Sequence, residues 1–128
     1  MKCIIFAIAL CTVVCSGCGP ATPAQLRADH ALHSQFEVDD SIQTVIKSIS
    51  NKDNECRTGL PANIMFLEEL SEAQIEYRLS FQQLIFLVDL KRQDDKTQVA
   101  IYSARSRLGW ERPFRILELG AKNFPGCP

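Results

Sequence analysis

Apolar positions along this chain follow two rhythms, and the change between them marks the elements. Val38, Ile42, Val45, Ile46 and Ile49 recur at i, i+4, i+7, i+8 and i+11, the spacing of one helix face. Asp39 and Asp40 stand where an N-cap and the positive helix end favour acidic groups, so a helix is predicted over 39–50. Asn51 to Asn54 would end it, leaving Cys56 in the following loop, where Gly59 and Pro61 break the chain. Beyond Pro61 the period becomes two, or the apolar run continuous. Residues 64–70 read as a strand, and Ile75, Tyr77, Leu79 and Phe81 alternate with Glu76, Arg78 and Ser80 as a second. The turn between them falls around 69–73. Residues 84–90 are apolar almost throughout, as in a strand covered on both faces, a pattern that a buried helix would share. Gln93-Asp94-Asp95-Lys96 is a polar turn, and 97–104, rich in Val, Ile and Tyr, forms a fourth strand. Four strands with short connections make an antiparallel meander.

The tail returns to helical spacing. Pro113 suits a first turn, Phe114, Leu117 and Ala121 share a stripe widened by Ile116 and Leu119-Gly120, and 123–126 terminates it. At the other end, Gly19 to Ala24 holds two prolines among small residues and reads as an extended tether. Residues 25–35 carry only a weak stripe of Leu26, Ala28, Ala31 and Leu32 and are expected to be mostly irregular.

The first 17 residues have the composition of a secretion signal: Lys2, then an apolar run from Ile4 to Val14 broken only by Thr12, then Ser16-Gly17. The run is too short to span a bilayer as a stable helix. Cys15-Ser16-Gly17-Cys18 resembles the lipobox of bacterial lipoproteins, in which cleavage before an invariant cysteine leaves that residue carrying diacylglycerol. Cys15 stands where the family usually has Leu. Cutting before Cys15 instead would put Val14 where a small residue is expected, so Cys18 is the lipid attachment site the resemblance implies. Gly19, in place of an aspartate, resembles an outer-membrane address. The implied location is the periplasmic side of the outer membrane, held by a lipid anchor, with ordinary secretion as the alternative.

With Cys3, Cys11 and Cys15 lost with the signal and Cys18 acylated, Cys56 and Cys127 remain. In an oxidising periplasm two leftover cysteines are expected to pair. A redox or metal pair would want a Cys-x-x-Cys spacing or a nearby His, and Cys56 and Cys127 have neither. A bridge between the segments that follow the two helices places both helices on or beside one sheet, which gives an α+β two-layer sandwich of order αββββα. The domain plan is a signal peptide over 1–17, a lipidated Cys18 and flexible tether over 18–35, and one α+β domain over 36–128. A chain of this size supports one core, not two.

Phe36-Glu37-Val38, a helix ending near Cys56, Thr97 to Tyr102, Trp110 and the terminal Gly126-Cys127-Pro128 together resemble the small lipoproteins of Gram-negative bacteria that have no assigned activity. The resemblance spans nearly all of the chain after the signal, implies fold and location, and implies no mechanism.

Without Lys2 the chain has 13 Lys and Arg against 15 Asp and Glu, a near balance that argues against nucleic acid as a partner. His30 and His33, three apart, would share a helix face, but two ligands rarely make a metal site, and solvated histidines near the tether are the preferred reading. Asp89 interrupts an apolar run and is expected near a strand end facing water. Glu68 and Glu69 would point to opposite sides of a strand and so form no catalytic pair. Arg105, Arg107, Arg112 and Arg115 gather around Trp110, a candidate patch for an anionic ligand or a partner, against the plainer reading of solvated arginines and a Trp over the core edge. No Gly-rich phosphate loop, nucleophile elbow or HExxH motif occurs. The expectation is a non-catalytic envelope lipoprotein without a cofactor, contacting another envelope component, with a small-ligand module for lipid or glycan as the alternative.

Overall fold

Five antiparallel strands form one sheet in the order β1-β5-β4-β3-β2: β1 (His30–Val38), β2 (Ala62–Leu67), β3 (Glu72–Ser80), β4 (Gln83–Gln93) and β5 (Lys96–Ala104). The computed structural model describes residues 19–67, 70–104 and 109–128. The α+β class and the meander β2 to β5 hold, while the sheet has a fifth strand that the apolar pattern did not predict. β1 pairs with β5 from His30 opposite Ala104 to Val38 opposite Thr97. β1 and β2 thus occupy opposite edges, joined by the helix α2 (Ile42–Cys56) crossing one face.

The fifth strand corrects the irregular tether expected up to residue 35. β1 is an edge strand with one covered face, so it needs few apolar residues: Leu32, Phe36 and Val38 join the core, and Ser34 between them donates to Glu118 at 3.0 Å. Residues 30–35 therefore belong to the folded unit. Val38 completes a strand and enters the core from the sheet, not from the helix assigned to it.

The segment ahead of β1 is also ordered. Thr22 caps the short helix α1 (Pro23–Ala28): its side chain accepts from the Gln25 N–H, while the Gln25 side chain accepts from the Thr22 N–H. Pro23 occupies the first helical turn, where its missing N–H costs nothing. Leu26 of α1 is fully buried against Leu84, Leu87 and Ala104.

α2 begins after Ser41, not at Asp39, and runs to Cys56, beyond the predicted end. Asp53 explains the extension. Its carbonyl accepts from the Arg57 N–H and its side chain accepts from the Thr58 N–H at 2.9 Å, which closes the helix on Arg57, at a φ of 56°. Cys56 is the last helical residue and bonds Cys127 across 71 positions. The helix α3 (Glu111–Ala121) has Pro113 in its first turn, as expected, and packs beside α2. At the contact Gly120 brings the two helices close: a Cβ there would stand 3.0 Å from the Ile49 Cα.

Register across the sheet sorts the core into rows beneath α2 and α3. One row runs Ser34, Ile101, Val88, Ile75, Ile64; the next runs Phe36, Val99, Leu90, Ala73, Phe66. The apolar run of β4 is covered on both faces, because the register shifts between β3 and β4 put Leu84 and Leu87 under α1 while Ile85, Phe86, Val88 and Leu90 face α2 and α3.

Candidate functional site

The two core rows do not stop where the helices stop. Ile64 and Phe66 of β2 prolong them to the sheet edge, yet remain 39% and 49% exposed, and Leu67 and Leu70 at the far end of β2 are exposed as well. β2 reads Ala62-Asn63-Ile64-Met65-Phe66-Leu67, without one charged residue. Among the described residues no strand lies beyond its outer side. Natural sheets usually guard an edge with charge, proline or a bulge; this strand carries none of these inside its span.

The sheet face away from α2 and α3 is polar and tightly connected. Arg27 of α1 donates from Nε and Nη2 to the two oxygens of Asp89, at 2.6 and 2.8 Å, and from Nη2 to the Gln74 side chain at 3.1 Å. Gln74 donates to Glu76, and Arg78 donates to the other Glu76 oxygen at 2.7 Å. The hydrogen bond with Asp89, opposed by partial burial, raises the Arg27 pKa above its ordinary value. Asp89 is thus mid-strand and paired, a correction to the water-facing strand end expected for it. The apolar neighbours belong to the opposite face, so an interrupting carboxylate in a two-sided strand marks the wetter side.

The histidines are not near a loose tether either. A bulge between His30 and Leu32 brings His30 and His33 onto one side of β1, ring centroids 5.0 Å apart, with His33 stacked on Tyr102 at 4.7 Å. His30 Nδ1 lies 2.9 Å from the Arg27 carbonyl. Burial, then the nearby Asp89 charge, raises the Tyr102 pKa. No carboxylate or thiol joins the two histidines to complete a metal-binding group among the described residues. Glu55 does approach Cys56 and Cys127, all within 4.8 Å, but the disulfide leaves the carboxylate as the one ligand atom there.

At the end of the sheet where β3 turns into β4, Pro61, Ala62, Leu79 and Phe81 line a groove of about 470 Å³, with Glu76 and Arg78 at its polar side. Phe81 is fully exposed.

Of the Arg/Trp patch, Trp110, Arg112 and Arg115 fall among the described residues. Trp110 is half-buried and meets Phe86 edge to face at 5.7 Å, so it packs over the core edge. Arg112 donates to the Cys56 carbonyl at 3.3 Å, and Arg115 pairs with Glu118. Cys18, Glu68, Glu69, Arg105 and Arg107 lie outside the described residues. The exposed apolar edge was missed because the pattern over 64–70 gives a strand without telling which of its faces is covered; the absence of charge over 62–67 was the available signal.

No protein-family model matches the chain, and no curated protein matches it. Among the described residues no helix is long and apolar enough to cross a membrane.

Proposed function

We propose that this chain is a non-catalytic lipoprotein of the bacterial envelope, anchored through Cys18 to the periplasmic face of the outer membrane, whose uncovered strand β2 receives an extended segment of another envelope protein. The observation that carries the reading is the continuation of two core rows onto Ile64 and Phe66 without a helix above them. A partner strand would satisfy the open backbone groups of the edge, and its alternate apolar side chains would extend the same rows. The lipobox-like Cys15-Ser16-Gly17-Cys18 supports the anchor, and the Cys56–Cys127 bridge agrees with an oxidising compartment. A photo-crosslinking residue at Phe66, compared with one at exposed Gln43 on α2, tests the edge in native envelopes. A discrete adduct from position 66 alone supports it; no adduct, or the same adducts from both, overturns it.

The groove beside Phe81 favours a second reading, a module for a small lipid or glycan fragment, in which Arg78 would meet an anionic group. Native mass spectrometry of protein taken from its own envelope decides that one, since a purely apo spectrum removes it.

A further inference from the structure

Gly19 is the residue bonded to Cys18, and it does not lead away from the domain on a free tether. It packs against Gln83, whose Nε2 would lie 3.4 Å from a Cβ at that position. The Pro20 carbonyl accepts from the Leu84 N–H at 2.9 Å, and the Ala21 carbonyl accepts from Arg78 Nη1 at 2.9 Å. Three successive residues are thus held on the hairpin that joins β3 to β4. The tether expected over 18–35 has no free length within the described residues.

The tip of that hairpin differs from the turn at the other end of β4. It reads Leu79-Ser80-Phe81-Gln82-Gln83, without charge; Leu79 is 52% exposed and Phe81 101% exposed. The opposite turn is Gln93-Asp94-Asp95-Lys96, with every charged side chain in water. A fully solvated Phe leaves its apolar surface in water, where an apolar environment would favour its burial. An uncharged tip beside the chain's anchoring point and a charged tip at the far end orient the domain.

We infer that the β3–β4 hairpin is a membrane-docking loop: Phe81 and Leu79 enter the boundary between headgroups and acyl chains of the bilayer that holds the Cys18 lipid. The inference rests on the lipid-anchor reading above and adds to it an orientation, with the β4–β5 turn pointing away from the membrane. Each residue spans at most about 3.6 Å, so an anchor one residue ahead of Gly19 keeps the hairpin within a few ångströms of the headgroups. Phe and Leu are residues that interfacial segments bury there. Insertion is intramolecular once the acyl chains are in place, so a weak preference is enough to populate it. The free edge of β2 remains at the side of the docked domain, open to a partner.

The test uses full-length acylated protein carrying Phe81→Trp or, separately, Asp95→Trp, reconstituted into phosphatidylethanolamine and phosphatidylglycerol vesicles with and without brominated acyl chains. Trp110, the single native tryptophan, supplies the common baseline. Expected is a blue-shifted emission with at least a two-fold quenching by brominated lipid for F81W, and none beyond the baseline for D95W and the unsubstituted protein. An acylated F81W protein quenched no more than the baseline overturns the docking loop, as does equal quenching at both positions, which would report contact without orientation. Intact mass separates the two levels: a protein without acyl chains overturns the anchor and this inference with it, whereas an acylated, unquenched one overturns this inference alone.

Discussion

Arg27 grips Asp89 with two parallel hydrogen bonds, at 2.6 and 2.8 Å, across 62 positions of sequence. The contact fastens the short helix α1 to the centre of β4 and covers the middle of the sheet face that α2 and α3 leave open. A six-residue helix has no stability of its own. It persists because its capping box, buried Leu26 and this ion pair act together.

Asp89→Asn is therefore expected to lower stability modestly, by about 1 kcal/mol, because the pair is partly exposed and solvent screens it. Its local effect should be larger than its global one. Hydrogen exchange in residues 23–28 should accelerate at least several-fold while α2 keeps its protection, and unchanged exchange in α1 would contradict the role given to the pair.

Reduction of the Cys56–Cys127 bridge should cost about 4 kcal/mol, the chain-entropy figure for closing a loop of this length, and less where the reduced chain keeps residual structure. Urea unfolding with and without reductant measures it. Cys127→Ser should reproduce the reduced curve and then be insensitive to reductant.

Gly120→Val should destabilise by about 2 kcal/mol, because α2 and α3 touch at backbone distance there and a branched side chain must push the helices apart. Gly120→Ala needs a shift of only a few tenths of an ångström and should cost less. A thermal melt in which Val is tolerated as well as Ala would show that the helix pair is looser than this contact implies.

Glu118 gives the acid limb of stability a defined contributor. Burial disfavours its charge, but hydrogen bonds from Lys122 and Ser34 and the charges of Lys122 and Arg115 outweigh that and hold its pKa below the ordinary 4.5. The folded pKa lies below the unfolded one, so the stabilisation is fully present above the unfolded value and is lost as the pH falls through the folded value. Glu118→Gln should lower stability at neutral pH and flatten the dependence below about pH 5, read from urea midpoints across that range. A parallel loss at every pH would show that packing, not charge, carries the residue.

Ile64→Lys or Phe66→Lys should lower stability only modestly, by about 1 kcal/mol, since both side chains remain about half exposed at the sheet edge. Ile64→Lys should also remove the crosslink formed from position 66, and either change should raise solubility, because a charge on an edge strand opposes strand addition. A large loss of stability would instead assign the two residues to the core.

Long elements with one strong period were legible. α2 and α3 could be read from Ile42, Val45, Ile46, Ile49, Phe114 and Leu117, and strands β3 to β5 from alternation or continuous apolar runs, because a covered face needs repeated apolar residues. β1 was not legible, since an edge strand with one covered face works with Leu32, Phe36 and Val38 around a serine that Glu118 satisfies. α1 did carry a signal: Thr22-Pro23-Ala24-Gln25 is a capping box with proline in the first turn, easily read as a proline-rich tether.

By itself the sequence determined the class and the meander and anticipated the Cys56–Cys127 pair, because these depend on local periodicity and residue arithmetic. Only the tertiary structure decided which apolar residues stay uncovered, that Asp89 meets Arg27, and that Gly19 to Ala21 lie on the β3–β4 hairpin. Those outcomes depend on register and on how far α2 and α3 reach across the sheet. Both are settled by packing between distant segments, so the composition of β2 or of the hairpin tip alone could not reveal them.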